Sequence, residues 1–481
     1  MSDRYENPLC KRYASAEIQH IFSDTSKFST WRKLWVALAE SQMELGLDIS
    51  EEQISEMNAH IYDIDYGAAK RYESETRHDV MAHILAYGEQ CPKAKPIIHL
   101  GATSAYVGDN TDIILQKKAL AHIKKLLINA LNALHKFSHE HKALPCLAYT
   151  HLQAAQPTTV GKRATLWIQD LLMDLEHLEF SLGNLKLLGC RGTTGTGASF
   201  LRLFDGDHEK VKALELKIAE KMGFESENSI GAVFPVSGQT YSRKVDYFTL
   251  SALSSIAQSA YKFSNDIRLL SHMKEIDEPF EDRQVGSSAM AYKRNPMKSE
   301  RIASLARYVT VTALNPALTS SAQWLERTLD DSANRRISIP EAFLATDAIL
   351  SLVINIFDGI TVYPNVMKKR LDEELAFMAT EDILMHCVKK GGDRQVLHEK
   401  IRQHSVAAGK KMKQEGCPND LLDRILSDET FGLCETELQD LMSADKFTGM
   451  AEIQTEEFLS QVKETIEANK ALLGAKVEIT V

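Results

Sequence analysis

Residues 247–261 read YFTLSALSSIAQSAY, fifteen positions without a charge, bracketed by Asp246 and Lys262. A helix with one face in water carries charges on that face, so an uncharged run of this length on a helical repeat means cover on several sides. The repeat is present: Leu253, Ile256, Ala260, Phe263, Ile267 and Leu270 follow one another at 3, 4, 3, 4, 3, the spacing of a seam packed between helices. The stretch reads as the middle of a helical bundle shared between subunits, and an oligomer is expected.

Working outward, the same pattern returns on both sides. Leu120, Ile123, Leu127, Ala130, Leu134 and Phe137 form an earlier seam, and Ala164, Trp167, Leu171, Leu175, Leu178, Leu182 and Leu185 form a second long helix. The earlier helix is predicted to begin in VGDNTD, where Asp109, Asn110 or Thr111 can cap it. Pro157 in THLQAAQPTTVGKR is placed to help start the second. Further on, Ser338-Ile-Pro-Glu341 reads as a capping box opening an apolar helix to about Ile360. Ahead of the bundle, Trp31, Leu34, Trp35 and Leu38 suggest a small helical domain. Beyond Tyr363-Pro364 the helices shorten, broken at Gly391-Gly392, Gly416 to Pro418 and Gly449. Strand-like alternation is sparse, so the class is all-α.

The chain has 481 residues, 44% hydrophobic and 25% charged, with a net charge of -10. That field repels nucleic acid and anionic membranes, so an anionic ligand has to be met by a local arginine cluster. Seven scattered cysteines without a CxxC pair or a cysteine–histidine ligand spacing suggest a reducing compartment and no metal centre. The polar N-terminal stretch MSDRYENPLCKRY does not resemble a leader, and no apolar run reaches about 18 residues, so a cytoplasmic protein without a membrane span is expected.

The stretch 286–300, GSSAMAYKRNPMKSE, stands out against this background. Gly286 and the small residues after it allow backbone amides to turn toward a ligand, Lys293 and Asn295 follow, and Pro296 restricts Asn295 before a new helix. Such a loop suits an anion, although a solvated connection between helices carries similar residues. Other polar clusters are Lys11-Arg12-Tyr13, Arg77-His78-Asp79, Thr103-Ser104, His151, Gly238-Gln239 and ERTLDDSANRR at 326–336. Each taken alone is also what a helix end presents to water.

Together, GSSAMAYKRNP, THLQAAQPTTVGKR and GATSAYVGDNTD resemble the fumarase/aspartase superfamily. RHDVMAH, GQTYSRKVD, KRNPMKSER and ERTLDDSANRR make the chain similar to its adenylosuccinate lyase family over nearly the whole length. The resemblance implies an all-α, three-domain fold with a long central helical bundle, here divided as 1–103, 104–362 and 363–481. It also implies a homotetramer whose active sites are each built by three subunits. No cofactor or metal is implied, and the substrates are purine nucleotides.

The implied reaction is a β-elimination releasing fumarate from adenylosuccinate to leave AMP, and from the ribotide SAICAR to leave AICAR. By the resemblance Ser287 is the general base, His151 the general acid and Glu300 the residue orienting it. Lys293 and the loop amides support the serine oxygen, and His78 lies against the substrate, assisting proton transfer or binding a carboxylate. The binding positions implied are Arg12 and Tyr13; Arg77, His78 and Asp79; Thr103 and Ser104; Gln239; Asn295 and Arg301; and Arg327, Ser332 and Arg336. Forked guanidiniums suit a phosphate and two carboxylates. The sequence departs from the family at Ala154, Gly197 and Ala291. At Ala291, where proline is common, a more mobile empty loop is predicted. Two rivals stay open: a non-catalytic scaffold with a lyase fold, and a lyase for argininosuccinate, aspartate or fumarate, for which phosphate-binding residues such as Arg12, Ser332 and Arg336 would be unnecessary.

Overall fold

The structure is a computed structural model of the whole chain, and it describes residues 3–224, 231–281, 284–290, 292–442 and 447–479. The N-terminal region contains α1 (Asp24–Glu44), α2 (Tyr66–Thr76) and α3 (Asp79–Gln90). The central region is built on α4 (Ser104–Glu140), a hairpin of β1 (Pro145–Thr150) and β2 (Gln153–Thr159), then α5 (Val160–Gly183) and α6 (Lys244–His272). After the short strand β3 (Ile276–Asp277) come α7 (Met297–Thr312) and α8 (Asp331–Gly359), and β4 (Thr361–Val362) pairs antiparallel with β3. The C-terminal region includes α9 (Pro364–Met378), α10 (Arg394–Glu415) and α11 (Ala451–Ala468).

At 1.5 Å per residue α4 is about 55 Å long, and its seam from Leu120 to Phe137 is buried along its length. Helix α6 packs against α5, α7 and α8. Of its uncharged run, only Phe248 and Gln258 are exposed. Eight of the fifteen are buried and Tyr247, Ser251, Ser255, Ser259 and Tyr261 half-buried, so most of the cover that removes charge from 247–261 comes from the same chain. The apolar surface left open lies elsewhere: Leu166, Met173 and Phe180, seven residues apart on α5, are 50%, 61% and 58% exposed. At the core, Trp167, Phe263 and Phe357 from α5, α6 and α8 meet with ring centroids 5.7–6.3 Å apart. Helix α8 is long and apolar enough to cross a membrane, but 83% of its most apolar window is buried inside the protein, as in a core helix.

One apolar core runs from Trp31, Leu34 and Trp35 through the bundle and is joined by Leu459, Val462 and Ile466 of α11. A second, around Ile383, Leu397 and Leu421, gives the C-terminal helices a core of their own. All seven cysteines are free.

Three local expectations fail. Helix α4 starts at Ser104 with Thr103 at the N-cap, and Asp109, Asn110 and Thr111 are buried inside it. Helix α8 starts at Asp331, not at Ser338. Ser338 is buried, its hydroxyl donates to Asn334 Oδ1 at 3.2 Å, and Pro340 sits inside the helix. Pro340 removes the N–H that would reach the Arg336 carbonyl, a loss outweighed by burial of Ile339, Ala342, Phe343 and their neighbours. Pro157 lies in β2 opposite Leu147, and α5 begins three residues later, capped by the Thr159 hydroxyl, which accepts from Lys162 N–H.

Candidate active site

The loop after Gly286 is folded on itself. A Cβ added at Gly286 would lie 1.9 Å from the Lys293 carbonyl oxygen, so the outgoing and returning segments meet backbone to backbone. The Asn295 side-chain amide donates to the Gly286 carbonyl at 2.9 Å, and Lys293 N–H donates to the Met290 carbonyl at 3.0 Å. Inside this turn the Ser287 hydroxyl oxygen accepts from two backbone N–H groups, Ala289 at 3.3 Å and Met290 at 3.2 Å. Two donors aimed at one oxygen favour its anionic form. Lys293 is exposed on the same loop, and Ala291 lies outside the described residues.

The loop ends on a fixed helix start. Glu278 accepts the N–H groups of Lys298 and Ser299 at 3.0 and 2.7 Å, occupying the positive end of α7. Burial raises its carboxyl pKa, and those bonds pull the other way. Glu300 is exposed in the first turn of α7.

His151 is at the tip of the β1–β2 hairpin. It and Leu152 have φ of 53° and 56° and form the two-residue turn, and the left-handed pair matches the twist of the strands. Both are exposed. Among the described residues, no hydrogen bond or ion pair joins His151 to Ser287, Lys293 or Glu300 of the same chain. Ala154 is paired with Tyr149 in the hairpin.

A second group forms where the N-terminal region meets α4 and α8. His78 caps α3: its Nδ1 accepts the Met81 N–H at 3.3 Å. That nitrogen is therefore unprotonated, and Nε2 donates to the Ser104 hydroxyl at 3.3 Å. Asp79 accepts from Arg336 Nη2 at 3.1 Å. Burial raises the Asp79 pKa, but the Val80 N–H and Arg336 outweigh it and leave the carboxyl below its ordinary value. Arg77, exposed, ends α2 with φ 54°, and Thr103 stands next to Ser104 at the start of α4.

Tyr13 and Arg301 meet across chain segments, with the guanidinium 5.6 Å from the ring centroid. Burial lowers the Arg301 pKa, with Tyr13 opposing and Arg12 adding to the effect, which places Arg12 in the same neighbourhood. A third group joins Gln239 and the 326–332 segment. Gln239 N–H donates to the Glu326 carbonyl at 3.0 Å, and its side chain donates to the Thr193 carbonyl at 3.1 Å. The glycine-rich run containing Thr193 leads to Gly197, which begins a short helix at φ 66°, a conformation glycine adopts without strain. Arg327 donates to both oxygens of Asp331 at 2.9 and 3.0 Å, and Ser332 is half-buried beside it.

Behind this third group is a buried ionic network absent from the sequence-based candidates. Arg243 donates to both oxygens of Asp109 and, through Nε, to Asp331 at 2.6 Å. Arg335 donates to Asp246 at 2.7 Å and pairs with Asp112 at 2.9 Å, while the Tyr241 hydroxyl donates to Asp246 at 2.6 Å. Asp331 thus links the buried Arg243 to the more exposed Arg327. The available signal is the spacing of these charges, Asp109 with Asp112, Arg243 with Asp246 and Asp331 with Arg335, three or four residues apart and so on one helix face. Among the described residues, no group of histidine, cysteine and carboxylate side chains is arranged to hold a metal ion.

A family model described as "Lyase" matches residues 14–311, and one described as "Adenylosuccinate lyase C-terminus" matches residues 376–458. Adenylosuccinate lyase of Saccharomyces cerevisiae is 51% identical over 432 residues, 89% of this chain and 88% of that protein. That of Schistosoma mansoni is 49% identical, again over 89% of this chain and 88% of the relative. The crystal structure of a 3-carboxy-cis,cis-muconate lactonizing enzyme from Pseudomonas putida matches with a TM-score of 0.82 over 95% of this chain and 99% of that one. Its 21% identity makes this a likeness of fold. With its all-α bundle and matches along both the bundle and the C-terminal region, the chain is a lyase and belongs to the adenylosuccinate lyase family of the fumarase/aspartase superfamily.

Proposed function

We propose that this chain cleaves the carbon–nitrogen bond of adenylosuccinate by β-elimination, giving fumarate and AMP, and releases fumarate from SAICAR to leave AICAR. The setting is cytoplasmic purine nucleotide biosynthesis. Ser287 Oγ takes a proton from the carbon next to a succinyl carboxylate. The electron pair left behind becomes the carbon–carbon double bond of fumarate as the carbon–nitrogen bond breaks. His151 gives a proton to the departing nitrogen, and Glu300 orients it. A neutral serine is a poor base. The observation that carries the reading is therefore the pair of backbone N–H groups on Ser287 Oγ, which with the cation of Lys293 lower the energy of the alkoxide.

Arg12, Tyr13, Arg77, Arg301, Arg327 and Arg336, with Ser332, Thr103, Ser104, Gln239 and Asn295, are read as the binding set for phosphate and carboxylates, and His78 and Asp79 as its edge. The reading includes a homotetramer with each site drawn from three subunits. The exposed row on α5 supports it, as do Val311, Leu314 and Leu318, which are 64%, 59% and 71% exposed. Apolar surface of this extent marks an association face. A general acid on an exposed hairpin tip, without contact to the base of its own chain, fits a site completed by a neighbour.

The test is the ultraviolet absorbance change on adding purified protein to adenylosuccinate, then to SAICAR. Turnover of both, abolished in Ser287→Ala, is expected. Turnover of argininosuccinate with none of adenylosuccinate would overturn the reading.

A further inference from the structure

Behind the hairpin that presents His151 lies a buried carboxylate with no part in the elimination itself. Glu275 is 0% exposed, and neither of its carboxylate oxygens accepts a hydrogen bond from the described residues. Its backbone is fixed between α6 and α9: its N–H donates to the Leu270 carbonyl at 3.0 Å and its carbonyl accepts the Tyr363 N–H at 2.9 Å. Two guanidiniums face it. Arg370 Nε on α9 is 3.7 Å from Oε1; burial raises the carboxyl pKa, and the fields of Arg163, in the first turn of α5, and Arg370 pull it back toward the charged form. A buried charge of this kind persists only when opposite charges surround it.

Both arginines also lie against strand β1, and Arg163 holds it directly. Arg163 Nη2 donates to the Leu147 carbonyl at 2.7 Å. Leu147 is paired with Pro157, which has no N–H to offer, and the strand register shifts between Leu147 and Tyr149. Arg163 therefore reaches in where the ladder is broken, with its other terminal nitrogen, Nη1, buried and without a hydrogen-bond partner. Helix α9 packs against β1, and Arg370 on it, whose Nε donates to the Met273 carbonyl at 3.2 Å, acts on the side chain of Tyr149, two residues before His151. Cys146 on the same strand lies in the fields of Arg163 and Glu275 alike. One carboxylate and two guanidiniums, from three separate elements, thus converge on the strand that leads to the turn.

We propose that Glu275 is a positioning residue for the general acid: its charge keeps Arg163 and Arg370 against β1, and they fix the turn that carries His151. This rests on the reading of His151 as that acid. Without the carboxylate both guanidiniums lose their shared counter-charge, and Arg163 is left with its buried Nη1 unpartnered, so the Leu147 carbonyl loses its donor and the hairpin loosens from its root.

Glu275→Gln keeps the shape and removes the charge. The expected result is a kcat lowered roughly 10- to 100-fold with KM within about threefold. Faster amide hydrogen exchange confined to residues 145–159 should accompany it, and Glu275→Asp should recover part of both. Tyr149→Phe, at a half-buried position, removes only the hydroxyl on which Arg370 acts and should give a smaller change of the same kind. This second variant keeps the test decisive if Glu275→Gln fails to fold. Unchanged kcat, unchanged exchange in 145–159, or exchange raised evenly across the chain would overturn the proposal. His151→Ala separates the two readings. If it keeps full turnover the general acid has been misassigned, whereas the exchange of 145–159 in Glu275→Gln reports hairpin positioning regardless.

Discussion

Replacing Gly286 by alanine tests the proposed active-site loop with a single methyl group. The new Cβ would lie 1.9 Å from the Lys293 carbonyl oxygen, and real contacts of this kind do not fall below 3.0 Å, so the two segments must part by at least 1.1 Å. Gly286 does not have a left-handed φ, so the cost is collision and not backbone strain. The parting breaks the Asn295 to Gly286 hydrogen bond, worth about 1 kcal/mol, and carries Lys293 and Asn295 away from Ser287. A misplacement of about 1 Å costs roughly 100-fold in rate, or about 2.7 kcal/mol of barrier. Because the loop lies outside the main core, the melting temperature should fall by no more than about 4 °C. The assay is kcat from the absorbance change of adenylosuccinate, beside a thermal melt of the same sample. A kcat within threefold of the parent would refute the reasoning, as would a loss of activity matched by collapse of the whole fold.

Three further outcomes follow from other parts of the structure. Burial lifts the Asp174 carboxyl to about 6, with Oδ2 unpartnered and Oδ1 accepting the Ser255 hydroxyl at 2.5 Å. The folded-state pKa lies above the unfolded one, so this group's stabilising contribution is present below pH 4 and is lost as pH rises to about 6. Asp174→Asn should be more stable than the parent at pH 7.5, by up to about 3 kcal/mol, and no more stable at pH 4; parallel urea-denaturation profiles at the two pH values would contradict this. Arg243→Met leaves Asp109 and Asp331 buried without their shared cation and should cost about 3–5 kcal/mol in chemical denaturation. Lysine would restore little of the forked contact, and a full rescue by Arg243→Lys would count against the network geometry. Met173→Glu places a charge in the exposed apolar row of α5 and should yield species smaller than a tetramer by light scattering; an unaltered tetramer would remove that row from the interface.

The sequence was most informative where the determinant is periodic and least informative where it is distant. The seams through Leu127 and Ile256 are visible in a short window because burial repeats with the helix. The misplaced starts of α4 and α8 come from the same kind of window. Asp109 looks like a cap until its partner Arg243 is known, 134 residues away. Ser338 to Glu341 looks like a helix start until the burial of Ser338 and Ile339 is seen. The turn at His151 and Leu152 was not legible because neither residue favours a left-handed backbone; strand twist and register impose it. The loop chemistry of Ser287 was foreshadowed by its small neighbours, but the two N–H groups on its oxygen depend on a fold in which Gly286 touches Lys293. Arg335 and Arg336 are alike in sequence and differ only in which way the helix turns them, one buried on Asp246 and the other exposed beside Asp79, and Arg243 is set apart only by partners 88 and 134 residues away.

On the proposed function, base and acid come from different chains. Ser287→Ala and His151→Ala proteins, each expected to be inactive alone, are to be mixed in equal amounts under conditions of verified subunit exchange, and turnover of adenylosuccinate measured. If a site takes Ser287 and His151 from two subunits, random reassembly leaves about a quarter of the sites with both intact, and roughly that fraction of parent activity should return. No recovery, with exchange confirmed, would place both residues in a site made by one chain.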